Sequence, residues 1–171
     1  MEVRSVEAIV RALNDANVRY VIVGGVAVIA HGYERLTKDL DLVIGLEREN
    51  IIAALTALQA IDYQMAVPAS PEDFANSELR ETWRREKGMI VLKLWSDTHR
   101  RTPIDVFIYE PFDFEGEYAA ARRENVLGPM QAPVVRYDTL IKMKKAAGRP
   151  QDLADIADLT RLQELRDEFN L

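Results

Sequence analysis

Apolar positions along the first third of the chain follow two periods. Val6, Ile9, Val10 and Leu13 recur at the three- and four-residue spacing of a helix, with Ser5 placed as its N-cap and Asn14–Asn17 as its close. Tyr20-Val-Ile-Val23 is a short unbroken apolar run, expected as a buried strand. Gly24–Gly25 interrupts it, and Val26–His31 is expected as a helical piece ended by Gly32. Leu40–Ile44 then gives a second strand. Glu47–Ala60 gives a helix with Glu47 and Glu49 in its first turn, where the macrodipole favours acids.

The middle is less regular. Tyr63–Val67 has the composition of a strand, and Ser70-Pro71-Glu72-Asp73 has the form of a helix start with proline at the first position. Met89–Trp95 and Ile104–Tyr109 are expected as two strands joined by the polar loop Ser96–Thr102, a pair suited to a hairpin. Further on, Asp138 is placed to cap a helix carrying Leu140, Ile141 and Met143, with Gly148 at its C-terminal end. Pro150 opens a last helix whose apolar stripe is read as Leu153, Ile156, Leu159, Leu162 and Leu165. Asp152, Asp155 and Asp158 are read as its solvated face, Asp152 pairing with Arg149. Together these elements describe a mixed α/β (α+β) fold, a small mixed sheet flanked by helices, with a helical C-terminal third.

Composition narrows the chemistry. At 171 residues the chain fits one domain, with room at most for a small helical appendage. It has no cysteine, so disulfides, zinc–thiolate sites, iron–sulfur clusters and thiol nucleophiles are excluded. The longest apolar stretch, Tyr20–Ala30, is too short for a membrane span and is split by Gly24–Gly25. With a start lacking the pattern of a signal peptide, it leads to the expectation of a soluble cytoplasmic protein with no membrane partner. The formal charge of −6 argues mildly against a polyanion partner, because backbone binding needs clustered Lys and Arg. Arg84–Arg85–Lys87 and Lys142–Lys144–Lys145 are the two basic clusters.

Three aspartates stand out. Lys38-Asp39-Leu40-Asp41-Leu42 places two carboxylates at i and i+2, on one face of a strand and roughly 6–7 Å apart along it. Asp105 interrupts a second apolar run, Pro103-Ile104-Asp105-Val106-Phe107. Acids are poor strand formers, and like charges side by side on a half-buried strand repel each other unless a cation lies between them. Convergent carboxylates suit a hard, oxygen-seeking ion such as Mg²⁺. The alternative is that they cap strand ends or pair with Lys38 and Arg101. Gly24–Gly25 between a strand and a helix allows close backbone approach to a phosphate, or simply a tight turn. It is neither a dinucleotide fingerprint nor a P-loop.

The ordered combination of strand, Gly24–Gly25, short helix, Gly32, Asp39-x-Asp41 on a strand and Asp105 on a later one resembles the nucleotidyltransferase superfamily with a polymerase-β-like palm. VIVGGVAVIAHGYERLTKDLDLVI and LIKMKKAAGRPQDLADIADL are similar to the AbiEii-like and lincosamide-nucleotidyltransferase-like branch. The resemblance implies a palm domain over residues 1–136 and a C-terminal helical segment over 137–171 packed on it. It also implies metal binding by Asp39, Asp41 and Asp105, with Asp105 helping to deprotonate the acceptor hydroxyl. Gly24, Gly25 and Lys144 would contact the nucleotide, with Arg35 and Lys38 as further cations that either meet phosphate or balance the acids.

The activity so implied is Mg²⁺-dependent (or Mn²⁺-dependent) transfer of an NMP group from an NTP such as ATP to an acceptor hydroxyl. The acceptor could be tRNA, a protein or a small molecule such as an antibiotic, and a toxin of a toxin–antitoxin pair would have an antitoxin partner. A non-catalytic nucleotide- or partner-binding module of the same fold is the alternative, against which the presence of all three acids speaks. A D-x-D glycosyltransferase would leave the glycine turn without a role. His31 is read as a packed or capping histidine, His99 with Asp97 as part of a solvated loop, and Trp83 and Trp95 as core residues by default, with an acceptor pocket as the other reading.

Overall fold

The computed structural model describes residues 1–169. Its frame is a mixed seven-stranded sheet flanked by helices. The central strands are β1 (Tyr20–Val23) and β2 (Leu40–Ile44), both at the positions their apolar runs predict, paired antiparallel so that Val23 lies opposite Asp41. On the far side of β2, β5 (Ile104–Phe107) runs parallel and sets Asp41 directly opposite Asp105. The expected hairpin is present: β4 (Val91–Trp95) pairs antiparallel with β5, and the two-residue β3 (Gln64–Met65) closes that edge. The other edge is a second hairpin, β7 (Gln131–Val134) beside β1 and β6 (Arg122–Asn125) outside it.

Leu40, Leu42, Ile104 and Val106 fill one face of β2 and β5 and are fully or almost fully buried. Strand alternation then sends Asp41 and Asp105 to the opposite face. Helix α1 (Val3–Asp15) buries Val6, Ile9, Val10 and Leu13, as its spacing predicts, and packs on β7 and on α3 (Arg48–Gln59). Helix α2 (Gly24–Ala30) leans on β1 and β2. Beyond α3, the short α4 (Pro71–Ala75) starts with a complete capping box between Ser70 and Asp73, and α5 (Ser77–Lys87) follows with Asn76 as its cap.

Several expectations are corrected. Ser5 does not cap α1: Glu2 is the N-cap residue, and Ser5 is buried one turn in, its hydroxyl bonded to His99 Nδ1 at 2.9 Å. The loop around His99 is exposed as expected, with Asp97, Arg100 and Arg101 in solvent, but the His99 ring itself is half-buried and stacks on Tyr63. Trp83 is buried as expected, whereas Trp95 lies on the open face of β4, 42% exposed. The pattern gave no signal for α5, for α6 (Phe114–Ala120) or for the β6–β7 hairpin, whose polar residues hide the period.

The C-terminal pair is α7 (Tyr137–Ala147), ended by Gly148 in the left-handed conformation at φ 63°, and α8 (Pro150–Phe169). Arg136, not Asp138, is the N-cap residue of α7. The start of α7 is secured from outside by Glu117 of α6. This buried carboxylate accepts from the Arg136 backbone and guanidinium and from Thr139. Burial alone would raise its pKa, but those donors hold it below the usual carboxylate value.

Helix α8 splits the expected stripe. Leu159 is buried and Ile156 and Leu162 are half-buried, but Leu153 and Leu165 point to solvent, while Asp152 and Asp155, expected on the solvated face, are buried. None of the described helices is long and apolar enough to cross a membrane.

These placements separate two leucines that look alike in sequence. Leu42→Ala, in the middle of the sheet, is expected to cost about 2–5 kcal/mol in urea denaturation. Leu153→Ala on the exposed side of α8 is expected to stay within about 0.5 kcal/mol. A large loss at Leu153 would mean that α8 turns its apolar side inward after all.

Candidate metal centre

The site begins with a register. Because Asp41 on β2 and Asp105 on β5 are direct cross-strand partners, their side chains leave the same face of the sheet side by side. Asp39, in the segment just before β2, brings a third carboxylate to the same point. One oxygen of each residue lies within 4.8 Å of the others. Asp105 is buried, and Asp39 and Asp41 are half-buried. Three oxygen donors in one cluster, with an open side, are a donor set that fits a hard divalent cation such as Mg²⁺ or Mn²⁺.

The glycine turn is built around this cluster. Gly24 sits at φ 64°, and a Cβ there would stand 1.9 Å from Asp41 Oδ2. A side chain at Gly24 and the present position of Asp41 are therefore mutually exclusive. Gly25 packs against Thr37, where a Cβ would meet the hydroxyl at 2.4 Å. Thr37 in turn donates to the Asp39 carbonyl at 3.3 Å, so the turn touches the supports of both acids of the D-x-D pair. No side chain caps the first turn of α2.

The electrostatics are those of crowded like charges. The Asp41 pKa is pushed up to about 7, by burial first and then by Asp39 and Asp105; Arg149 and the Gly25 backbone amide pull the other way. Two cations qualify the field. Lys93, opposite Asp105 on β4, donates to both of its carboxylate oxygens at 3.1 and 2.9 Å, and these bonds raise the lysine's own pKa. Arg149 feels the charges of Asp41 and Asp39 but is held by Asp152, at 2.7 Å from Nε.

The expected site residues divide accordingly. Asp39, Asp41, Asp105, Gly24 and Gly25 come together, and Lys38 is an exposed neighbour of Asp39. Lys144 is buried, with its ammonium between Asp152 at 3.3 Å and Asp155 at 2.5 Å. Arg35 is on Asp155 as well, at 2.5 Å. Arg101 approaches Glu2, so it is Lys93 and not Arg101 that balances the cluster.

His31 is the packed histidine expected, hydrogen-bonded to the Val135 carbonyl at 2.8 Å and edge-on to Tyr137. Sequence reasoning missed Lys93, Thr37 and the role of Asp155. For Lys93 a signal existed: a lone cation in the run Val91-Leu-Lys-Leu-Trp95 is as anomalous as the lone acid opposite it. No family model and no curated protein matches the sequence.

Two outcomes follow from this geometry. The raised Asp41 pKa means that the native state holds this proton more tightly than the unfolded chain. Its contribution to stability is therefore full below the usual value of 3.8 and is lost as pH rises through about 7. In the metal-free protein, melting temperature should fall between pH 5 and 8 by more than in Asp41→Asn, and saturating Mg²⁺ should flatten that difference. Identical pH profiles of wild type and Asp41→Asn would show that the acids do not crowd. Second, Gly24→Ala should keep its circular dichroism but bind Mn²⁺ roughly 10–100-fold more weakly, because Asp41 must move; unchanged Mn²⁺ affinity in calorimetry would disprove the coupling.

Proposed function

We propose that the protein is a Mg²⁺-dependent nucleotidyltransferase that moves an NMP group from an NTP to an acceptor hydroxyl and releases pyrophosphate. The observation that carries this reading is the convergence of Asp39, Asp41 and Asp105 against the Gly24–Gly25 turn. A metal cluster alone has many uses. A glycine turn that lets backbone come this close to the acids supports nucleotide phosphates lying beside the metal. Bound Mg²⁺ would neutralise the triphosphate and stabilise the developing charge on attacking and leaving oxygens.

The chain's own residues supply the rest. Asp39 and Asp41 hold the metal side of the site, and the Gly24–Gly25 turn would bring backbone close to the phosphate oxygens. Asp105 lies at the boundary between the D-x-D pair and β4, placed to accept the proton of an incoming hydroxyl, with Lys93 on its oxygens. Lys38 and Arg149 are the solvent-facing cations beside the acids. The charge of Lys144 is spent within the protein, so its contribution to nucleotide binding runs through the helices it ties together. Catalysis of this type rests on positioning and charge neutralisation and needs no covalent nucleophile.

Calorimetric titration of ATP, GTP, CTP and UTP in the presence of Mg²⁺ tests this directly. At least one should bind the wild type, and none should bind the Asp39→Ala/Asp41→Ala double variant. With the acceptor found, Asp105→Asn should slow pyrophosphate release by about 10²–10⁴-fold, the usual range for a lost general base. Failure of every NTP to bind the wild type would end the proposal.

A further inference from the structure

Helix α8 carries Asp152, Asp155 and Asp158 at every third position, and each reaches a different part of the molecule. Asp152 takes Arg149 and Lys144. Asp155, with no exposed surface, takes Arg35 Nη1 at 2.5 Å, Lys144 Nζ at 2.5 Å and the Gln151 amide at 3.0 Å. Asp158 lies near the Tyr33 phenol and raises the pKa of that group. A Cβ on Gly32 would meet the Arg166 guanidinium of the same helix at 2.5 Å. The helix thus lies along the segment that leads from α2 to β2, and that segment has no regular secondary structure of its own between Tyr33 and Lys38.

This segment delivers Asp39. Arg35 packs towards Gly25, where a Cβ would lie 3.5 Å from its Cζ, and Thr37 fills the space beside it. A continuous path therefore runs from Asp155 through Arg35 to the glycine turn and Thr37, and through Thr37 to the backbone of Asp39. A loop without helix or ladder bonds has little of its own to fix it. Leu36, at its tip, is almost wholly exposed and gives it no hydrophobic anchor. Tyr33, packed on the core with its amide on the Val28 carbonyl, anchors the start of the loop, and Thr37 packs on the glycine turn; the charge-assisted bonds to α8 hold the stretch between them.

We infer that the acid ladder of α8 is a latch on residues 33–39, with Asp155 as a positioning residue that acts through Arg35 to hold Asp39 beside Asp41 and Asp105. The C-terminal helix is then part of the metal centre's support and not an appendage. Buried, paired charges have the strength for this task because losing one partner leaves the other uncompensated in a dry site. Lys144 serves the latch by neutralising the second charge of the Asp152–Asp155 pair.

The metal arm of this inference rests on the function proposed above; the loop arm does not. The test uses the full chain and two variants, Asp155→Asn and Arg35→Met. The second spares the Lys144–Asp155 pair and so guards against a variant that fails to fold. Backbone ¹⁵N relaxation should give rigid order parameters of about 0.85 for residues 34–39 in the wild type, falling toward 0.6 or below in either variant, with β1 and β5 unchanged. Mn²⁺ titration without nucleotide should show binding weakened roughly 10–100-fold, the usual effect of removing an outer support of a metal ligand.

The effects of the two variants should not add, since both break one contact. A loop already mobile in the wild type, or one that stays rigid in Arg35→Met, overturns the latch. Absence of Mn²⁺ binding by the wild type overturns the metal centre instead, and the relaxation data then decide the latch alone.

Discussion

Repulsion among three carboxylates gathered at one point of the sheet is the constraint around which the rest of the structure is arranged. Hydrophobic burial on the other face of β2 and β5 forces the convergence: Leu40, Leu42, Ile104 and Val106 must face the core, so Asp41 and Asp105 must share the opposite side. A one-residue slip of either strand would put an acid into the core. The apolar face thus fixes a charge arrangement that is unfavourable by itself. Burial first, and then that repulsion, raises the pKa of Asp41; Arg149 pulls it the other way, while Lys93 pairs with Asp105.

Around this point the fold uses two means of close approach. Where backbone must come near a carboxylate, side chains are absent, at Gly24 and Gly25. Where helices must be tied to a loop, charges are buried in pairs, at Lys144, Asp152, Asp155 and Arg35. Glu117 does the same for the start of α7. No buried side-chain nitrogen or oxygen among the described residues lacks a partner, so these inward charges are fully satisfied. Such networks set position better than they set stability, since an apolar replacement would often be as stable. Their placement between α8 and the loop before β2 is consistent with a positioning role.

Helices α1 and α3 and the β4–β5 hairpin were legible because each buries one clear face and burial writes its period into the residue pattern, and the central strands because burial on both faces leaves an almost unbroken apolar run. The acids of the site were legible for the opposite reason: charge inside an apolar strand breaks that pattern and asks for an explanation. Helix α5 and the β6–β7 hairpin were not legible. Their exposed residues are polar at most positions, and their form comes from caps and neighbours more than from periodicity. Helix α8 shows the sharper failure. Its apolar stripe is only partly buried, at Leu159 and in part at Ile156 and Leu162, and Asp152 and Asp155 turn inward as well because Lys144 and Arg35 lie there to pair with them.

The sequence by itself determined the mixed α/β class, the strand positions of Asp41 and Asp105, and the break at Gly24–Gly25, all local consequences of side-chain period and backbone freedom. The tertiary structure alone decided that β2 and β5 are neighbours in a register that sets Asp41 against Asp105, that Lys93 sits opposite Asp105, and that Lys144 is spent on Asp152 and Asp155 instead of facing solvent. These are contacts between residues distant in the chain. They depend on strand order, register and helix rotation, which no local pattern encodes because each is chosen by the packing of the whole.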